Sequence, residues 1–323
     1  MGTYIARRIL ISIPVLFGIT ILAFAALSLA PGDPLTSRID PELLARMTPE
    51  QLAAARHQLG LDQPVPVRYL VWVGGLLQGD LGYSVINHSF VADELGRRLP
   101  PTLLLMSIAL VLGTVLGIVL GIVAAVRPYT LVDYVVTAFS TSFIAIPGFV
   151  VGLVLVYTFG AALKVLPTTG MFTLGKEPTL PDVAAHMVMP VTLLAVGLSA
   201  QLTRYARASM LDVLNADYVT TSRAKGLLPR VVLIRHAFRN ALIPVVTVVG
   251  LSLPDLVAGA VITESIFGWP GMGQMAVRAA SSRDPALLMG VILVVATGVL
   301  VSNLVVDVLY AVVDPRVRLG RGV

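Results

Sequence analysis

The chain has 323 residues with a mean hydropathy of +0.88; 56% are hydrophobic and only 13% are charged. That is about half the charge a soluble chain of this length carries, which excludes a soluble enzyme or binding module and points to an all-α polytopic membrane protein. The absence of cysteine excludes disulfides and thiolate metal sites, and the net charge of +5 sits beside apolar runs, a membrane-topology pattern and not a nucleic-acid footprint.

Six membrane spans are predicted, at about 9–30, 102–126, 134–162, 187–206, 241–263 and 286–309. The first follows Arg7 and Arg8, as in a secretion signal. Its uncharged run to Ala30 is too long for one, and Pro31 would fall just after the cleavage point, so the segment is read as a retained span. Residues 31–98 form a long segment with folding signals. Thr48 is placed as an N-cap, Pro49 in the first turn, Gln51 as the partner in a capping box and Gly60 as a stop. A second amphipathic piece, VPVRYLVWVGGLLQGDLG, is expected at the membrane surface. VADELGRRL then leads into the second span.

That span carries Gly113, Gly117 and Gly121 at four-residue spacing, a stripe expected to let a neighbouring helix approach closely. The fourth span is expected to be short and to begin near Pro190; the fifth is interrupted by Pro254 and Asp255. Lys/Arg placement puts both termini in the cytoplasm. Arg7, Arg8, Arg127, the seven basic residues from Arg204 to Arg239, and Arg316, Arg318 and Arg321 are then all inside.

Two motifs fail on inspection. GMFTLGKE (170–177) approaches a phosphate-binding loop, but Glu177 stands where a hydroxyl would hold magnesium and no strand precedes it. GMGQMA (271–276) lacks the strand–helix–strand context of a dinucleotide site. His57, His88, His186 and His236 have no zinc-protease spacing, and no serine sits in a nucleophile elbow.

Between the fourth and fifth spans, about 207–240, lies ADYVTTSRAKGLLPRVVLIRHAFRNALIP, with five Lys/Arg and His236. A connection of this length inside a helical bundle suggests a function. Asp217 is expected to cap a short helix that Gly226 ends, and a second helix then carries Arg235, His236 and Arg239 to the membrane. The plain alternative is a solvated, positive-inside loop.

ADYVTTSRAKGL and RHAFRNALIPVVT resemble the cytoplasmic EAA loop of bacterial ABC-importer permeases in its peptide-permease form. YIARRILISIPVLFGITILAF with PGDP, LGLDQPVPVRYLVWVGGLLQGDLGYS, ESIFGWPGMG and VDVLYAVVDPRVR carry the same resemblance, in order, over essentially the whole chain. It is closest to the first permease of dipeptide, oligopeptide and nickel importers. Thr220, Thr221 and Ser222 stand at the Glu-Ala-Ala positions, and Phe238 and Arg239 replace a Leu-Pro, while Gly226 is kept.

The resemblance implies a type I permease core of six helices in the bacterial inner membrane. Residues 1–100 would hold the first helix and an external part, and 101–323 a five-helix core. Asp217, Tyr218, Thr220, Thr221, Arg223, Ala224, Lys225 and Gly226 would contact an ATPase, Arg223 and Lys225 pairing with its acidic groups. ATP would be bound by the partners, with no cofactor and no catalytic residue in this chain. The implied partners are a second homologous permease, two ATPase subunits (or a fused or homodimeric ATPase), an external solute-binding protein and membrane lipid, with no nucleic acid. Nickel, glutathione or an oligosaccharide are alternative solutes. A self-contained secondary transporter would need several ionisable groups in the spans, and Asp255 is the clear one. Asp255 either faces the pathway and attracts a cationic group or locks two helices together.

Overall fold

The computed structural model describes residues 2–29, 46–58, 62–84 and 87–313. Gly60, Arg316, Arg318 and Arg321 lie outside the described residues. The chain forms two compact units: residues 1–5, 103–269 and 301–323 in one, 6–102 and 270–300 in the other. Among the described residues five helices are long and apolar enough to cross a membrane, or six if a bent pair is counted as one span.

In the second unit, α1 (Gly2–Leu29, mostly in this unit) is followed by α2 (Pro49–Gln58) and α3 (Val65–Leu77). The capping box forms as the sequence predicts. Gln51 N donates to Thr48 Oγ1 at 3.3 Å, and Thr48 N donates to Gln51 Oε1 at 2.9 Å, so two otherwise orphaned donors are satisfied reciprocally. Helix α3 lies against α1 through aromatic side chains. Tyr69 packs edge-on to Phe24 at 5.5 Å and shares a 2.9 Å hydrogen bond with Thr20, and the Arg68 guanidinium lies 5.9 Å over the Phe24 ring. With 13 residues, α3 is too short to cross a membrane.

Asp80 turns the chain by accepting from Gly82 N, and a two-residue hairpin follows, β1 (Tyr83–Ser84) with β2 (Ser89–Phe90). Helix α4 (Val91–Val126) starts directly after it. The second span therefore begins eleven residues earlier than the predicted 102, through Pro100 and Pro101. At 1.5 Å per residue its 36 residues extend about 54 Å, well beyond a bilayer core. Val91 and Leu95 at its start pack with Met272 and Met275 of α12 (Met272–Ser281) and with Leu287 and Val291 of α13 (Pro285–Val313). Asp284 caps α13 by accepting from Leu287 N and also accepts from the buried Ser84 Oγ at 2.6 Å.

In the first unit the central element is α7 (Leu180–Leu214), the most buried of the spans. It is 35 residues long, not the short span predicted from Pro190. The start lies upstream: Thr179 caps it by accepting from Asp182 N, Pro181 occupies the first turn, and Pro190 is held inside the helix. Asp182 also fastens the preceding GMFTLGKE turn, accepting from both Thr173 N and Thr173 Oγ1 at 2.7 Å. Around α7 lie α5 (Leu131–Ala145), α6 (Gly148–Leu155, continuing as a π-helical segment Val156–Ala162), α10 (Arg239–Leu251) and α11 (Leu253–Ile266). The third span, predicted as one run over 134–162, is thus two helices bent by 102°. Pro147 disfavours helical geometry in the residue before it, and Ile146 adopts ψ 126°. The fifth span breaks at Ser252, with Pro254 in the first turn of α11.

The glycine stripe of α4 meets α7 backbone to backbone. A Cβ built on Gly113 would lie 2.8 Å from Ala195 O, on Gly117 2.6 Å from Leu202 Cβ, and on Gly121 2.6 Å from Ala206 Cβ. Leu202 and Ala206 are buried, so neither has room to retreat. Gly117→Leu should therefore lower the stability of the detergent-solubilised protein by about 1–3 kcal/mol, read as a drop in Tm. Gly96→Ala, where nothing lies within 4 Å, should leave Tm unchanged.

Candidate functional site

The residues singled out between the fourth and fifth spans form α8 (Asp217–Ala224). Ala216 O accepts the first helical bonds, from Val219 N and Thr220 N. Asp217 is therefore inside the first turn, where its exposed carboxylate faces the positive end of the helix, and the predicted capping role falls to the backbone before it. Thr221 Oγ1 donates to Asp217 O at 2.8 Å and Ser222 Oγ to Tyr218 O at 2.7 Å, so both hydroxyls are satisfied within the helix. The helix ends as predicted. Gly226 has φ +76°, and Leu227 N reaches back to Ser222 O at 3.4 Å, a left-handed stop. Nothing lies within 4 Å of a Cβ built on Gly226, so the demand for glycine there is conformational and not steric.

Helix α8 is held on one side and open on the other. Val219 is fully buried, and the Tyr218 hydroxyl accepts from Asn240 Nδ2 of α10 at 3.1 Å. Tyr218, Thr220, Thr221, Ala224, Lys225 and Gly226 are exposed, and Leu227 and Leu228 extend an apolar surface beyond the glycine. The Arg223 side chain lies outside the described residues. The chain then climbs through α9 (Pro229–Val231) and a π-helical segment, Val232–Phe238, into α10. Ala237 and Ala241 are buried against Ala125 of α4 and Met210 of α7, and Ser209 Oγ donates to Ala241 O at 2.9 Å. The segment that follows the exposed helix is therefore braced on the ends of two long helices.

Sequence reasoning missed a second brace. Arg207 of α7 grips Asp133 at the start of α5 with both arms, Nε to Oδ1 at 2.6 Å and Nη2 to Oδ2 at 2.7 Å. Asp133 is 3% exposed and also accepts from Tyr129 N at 2.9 Å. The two partners are 74 residues apart, and the available signal was an acid directly before the predicted third span and an arginine just after the fourth. Also missed were Asn240, Gln201 and Ser252.

Asp255 is in a different element, α11, and its side chain lies outside the described residues. The helix that carries it lines a cavity of about 420 Å³ with Ser252, Leu256, Gly259 and Thr263.

Removing one member of the Asp133–Arg207 pair leaves a buried charge uncompensated. Arg207→Ala, which strands the buried Asp133 carboxylate, should cost up to about 3–5 kcal/mol. Asp133→Ala combined with Arg207→Ala should recover part of that loss, measured as Tm in detergent.

A family model described as binding-protein-dependent transport system inner membrane component matches residues 117–319, and its N-terminal companion matches 1–106. The oligopeptide transport system permease protein AppB of Bacillus subtilis (strain 168) is 43% identical over 98% of this chain and 100% of its own length. The di/tripeptide transport system permease protein DppB of Pseudomonas aeruginosa (strain UCBPP-PA14) is 39% identical over 98% and 99%. Among solved structures, an inward-facing form of the MetNI methionine ABC transporter superposes with a TM-score of 0.56 over 68% of this chain and 96% of that one. At 18% identity the likeness is one of fold.

Proposed function

The chain belongs to the family of binding-protein-dependent transport system inner membrane components, and from that premise we propose that it forms half of the translocation pathway of an ATP-driven ABC importer for di- and oligopeptides. The relatives named for oligopeptide and di/tripeptide transport, matched over nearly their whole length, support the choice of solute. The observation that carries the mechanism is α8, a short helix with a glycine stop, exposed on one side, bonded to α10 through Tyr218 and followed by a segment that packs on the ends of α4 and α7.

In this reading the chain has no catalytic residue and binds no cofactor. ATP is bound and hydrolysed by two ATPase subunits, a second homologous permease completes the pathway, and an external solute-binding protein delivers peptide. Both termini are cytoplasmic. Residues 1–100 supply the first helix and the external part that meets the binding protein, and 101–323 the core. Each ATPase subunit moves as it binds nucleotide, and a rigid helix seated in its surface moves with it. Tyr218, Thr220, Thr221, Ala224, Lys225 and Gly226 form the face that is seated, Lys225 adding a charge for acidic groups on the partner. The Tyr218–Asn240 bond and the Ala237–Ala241 contact carry that motion into α10 and α7, and thus to the helices that line the pathway. Arg223 and Asp217 contribute charge to the same helix, and Asp255 faces the pathway, where it attracts a peptide's amino terminus.

Proteoliposomes holding the whole complex and the binding protein test the reading. They should accumulate labelled dipeptide with ATP, and neither nickel, oxidised or reduced glutathione nor an oligosaccharide should compete. Uptake of one of those solutes in place of peptide overturns it.

Gly226→Val forces a β-branched residue into left-handed geometry. It should leave ATP hydrolysis within about twofold of wild type while peptide uptake falls at least about tenfold, and normal uptake would contradict the coupling role. Asp255→Asn in the same vesicles should lower uptake of peptides with a free amino terminus more than that of N-acetylated ones. An equal fall for both, or loss of complex assembly, assigns it to structure.

A further inference from the structure

Two of the spans packed around α7 in the first unit are broken. Helix α7 runs Leu180–Leu214 with Gly197 at its centre; the bent pair Leu131–Ala145 and Gly148–Ala162 breaks at Ile146–Pro147; α10 and α11 break at Ser252. One cavity, of about 420 Å³, lies at both breaks and touches Pro147, Gly148, Ser252 and Thr263; a second, of about 630 Å³, touches Thr137 and Ser140 of α5 and Arg204 and Arg207 of α7. Both are lined by Gly197 and Gln201 of α7. Irregular backbone at membrane depth is tolerated where it lines a cavity or is buried in protein, and the smaller cavity is lined by residues of both breaks.

Gly197 and Gln201 have no packing reason to be there. The stripe glycines of α4 are forced by close approach to α7, whereas a Cβ built on Gly197 meets nothing within 4 Å. Gln201 is a half-buried amide one turn further on. Its side chain's sole hydrogen-bond contact among the described residues is Ser252 Oγ at 3.5 Å, and that hydroxyl donates at 2.8 Å to Val248 O. A single hydroxyl proton serves the shorter bond, so the Gln201 amide keeps both its donors and its acceptor available.

We propose that Gln201, with the space left by Gly197 and the break at Ser252, is a mid-depth binding site within this single subunit for a peptide bond of the passing solute. A primary amide is complementary to a peptide group: its N–H donates to the peptide carbonyl while its oxygen accepts from the peptide N–H. Among the described residues the polar lining of the smaller cavity is uncharged, Gln201, Ser252 and Thr263, in an otherwise apolar wall. That composition suits a group with strong hydrogen-bonding needs and no net charge. The site is independent of side-chain identity in the peptide, since it reads the backbone. It rests on the peptide-importer reading.

The chain contains no cysteine, so Gly197→Cys places the only thiol of this subunit in the shared void. In the whole complex with its binding protein, a small hydrophilic thiol reagent should modify Cys at that position, read by the mass of this subunit. Saturating dipeptide should slow the modification at least about fivefold during turnover. Gln201→Leu should raise the KM for dipeptide uptake at least about fivefold, while ATP hydrolysis stimulated by loaded binding protein stays near wild type. Gln201→Asn, which keeps the amide, should recover most of the affinity. If wild-type vesicles import peptide but the thiol is inert in every state, the second permease fills the void and the site is overturned. It is also overturned if Gln201→Leu imports with unchanged KM. If wild-type vesicles import no peptide, the functional reading itself fails.

Discussion

The approach of α4 to α7 sets the geometry of the first unit. Two helices with ordinary side chains pack about 8–10 Å apart. Here three glycines in successive turns remove the side chains that would hold them there, and Ala195, Leu202 and Ala206 of α7 fill the vacated groove. In a membrane, burial of apolar surface between helices supplies little drive, because lipid is as apolar as the partner; close packing supplies the attraction instead. With α4 seated in this way, the other faces of α7 are left for α5, α6, α10 and α11. The ends of α4 and α7 then supply the floor, Ala125 and Met210, on which the helices beyond α8 rest.

A bidentate ion pair ties two helices of that unit together. The Asp133–Arg207 pair is bidentate, and Asp133 is further satisfied by a backbone N–H, which is the condition under which a buried pair holds its partners without an uncompensated charge. It joins the connection after α4 to the same end of α7 that leads into α8. The exposed helix thus hangs from a region tied by a charge pair, a tyrosine–asparagine bond and small buried alanines, a combination suited to moving as one piece.

How much of this could be read beforehand depended on the range of the interaction. Signals confined to one turn were legible: Thr48 with Gln51, Gly226 as a stop, and the four-residue spacing of Gly113, Gly117 and Gly121. Each is a local demand of backbone geometry that a few neighbouring residues satisfy. Hydropathy located the spans but carries no information about direction, so the 102° turn at Pro147 passed as a continuous run. A proline inside an apolar run ordinarily marks a boundary, which is why Pro190 suggests a start; within a bundle its freed carbonyl finds other partners, and the helix begins upstream at Thr179–Pro181. The Asp133–Arg207 pair and the Gln201–Ser252 contact join residues that only the fold brings together, and nothing local announces them.

The self-contained hydroxyls of α8 have a consequence for how that helix is recognised. Thr221 and Ser222 have already committed their protons to carbonyls one turn back, and the sharp end at Gly226 comes from backbone geometry. What remains is chiefly a shape, a short stiff rod with the charges of Asp217 and Lys225 on it and an apolar tip at Leu227 and Leu228. A contact of that kind behaves like a ball in a socket. In the coupling role proposed above, such a contact transmits force in any direction in which the rod is gripped and tolerates drift in sequence on both sides.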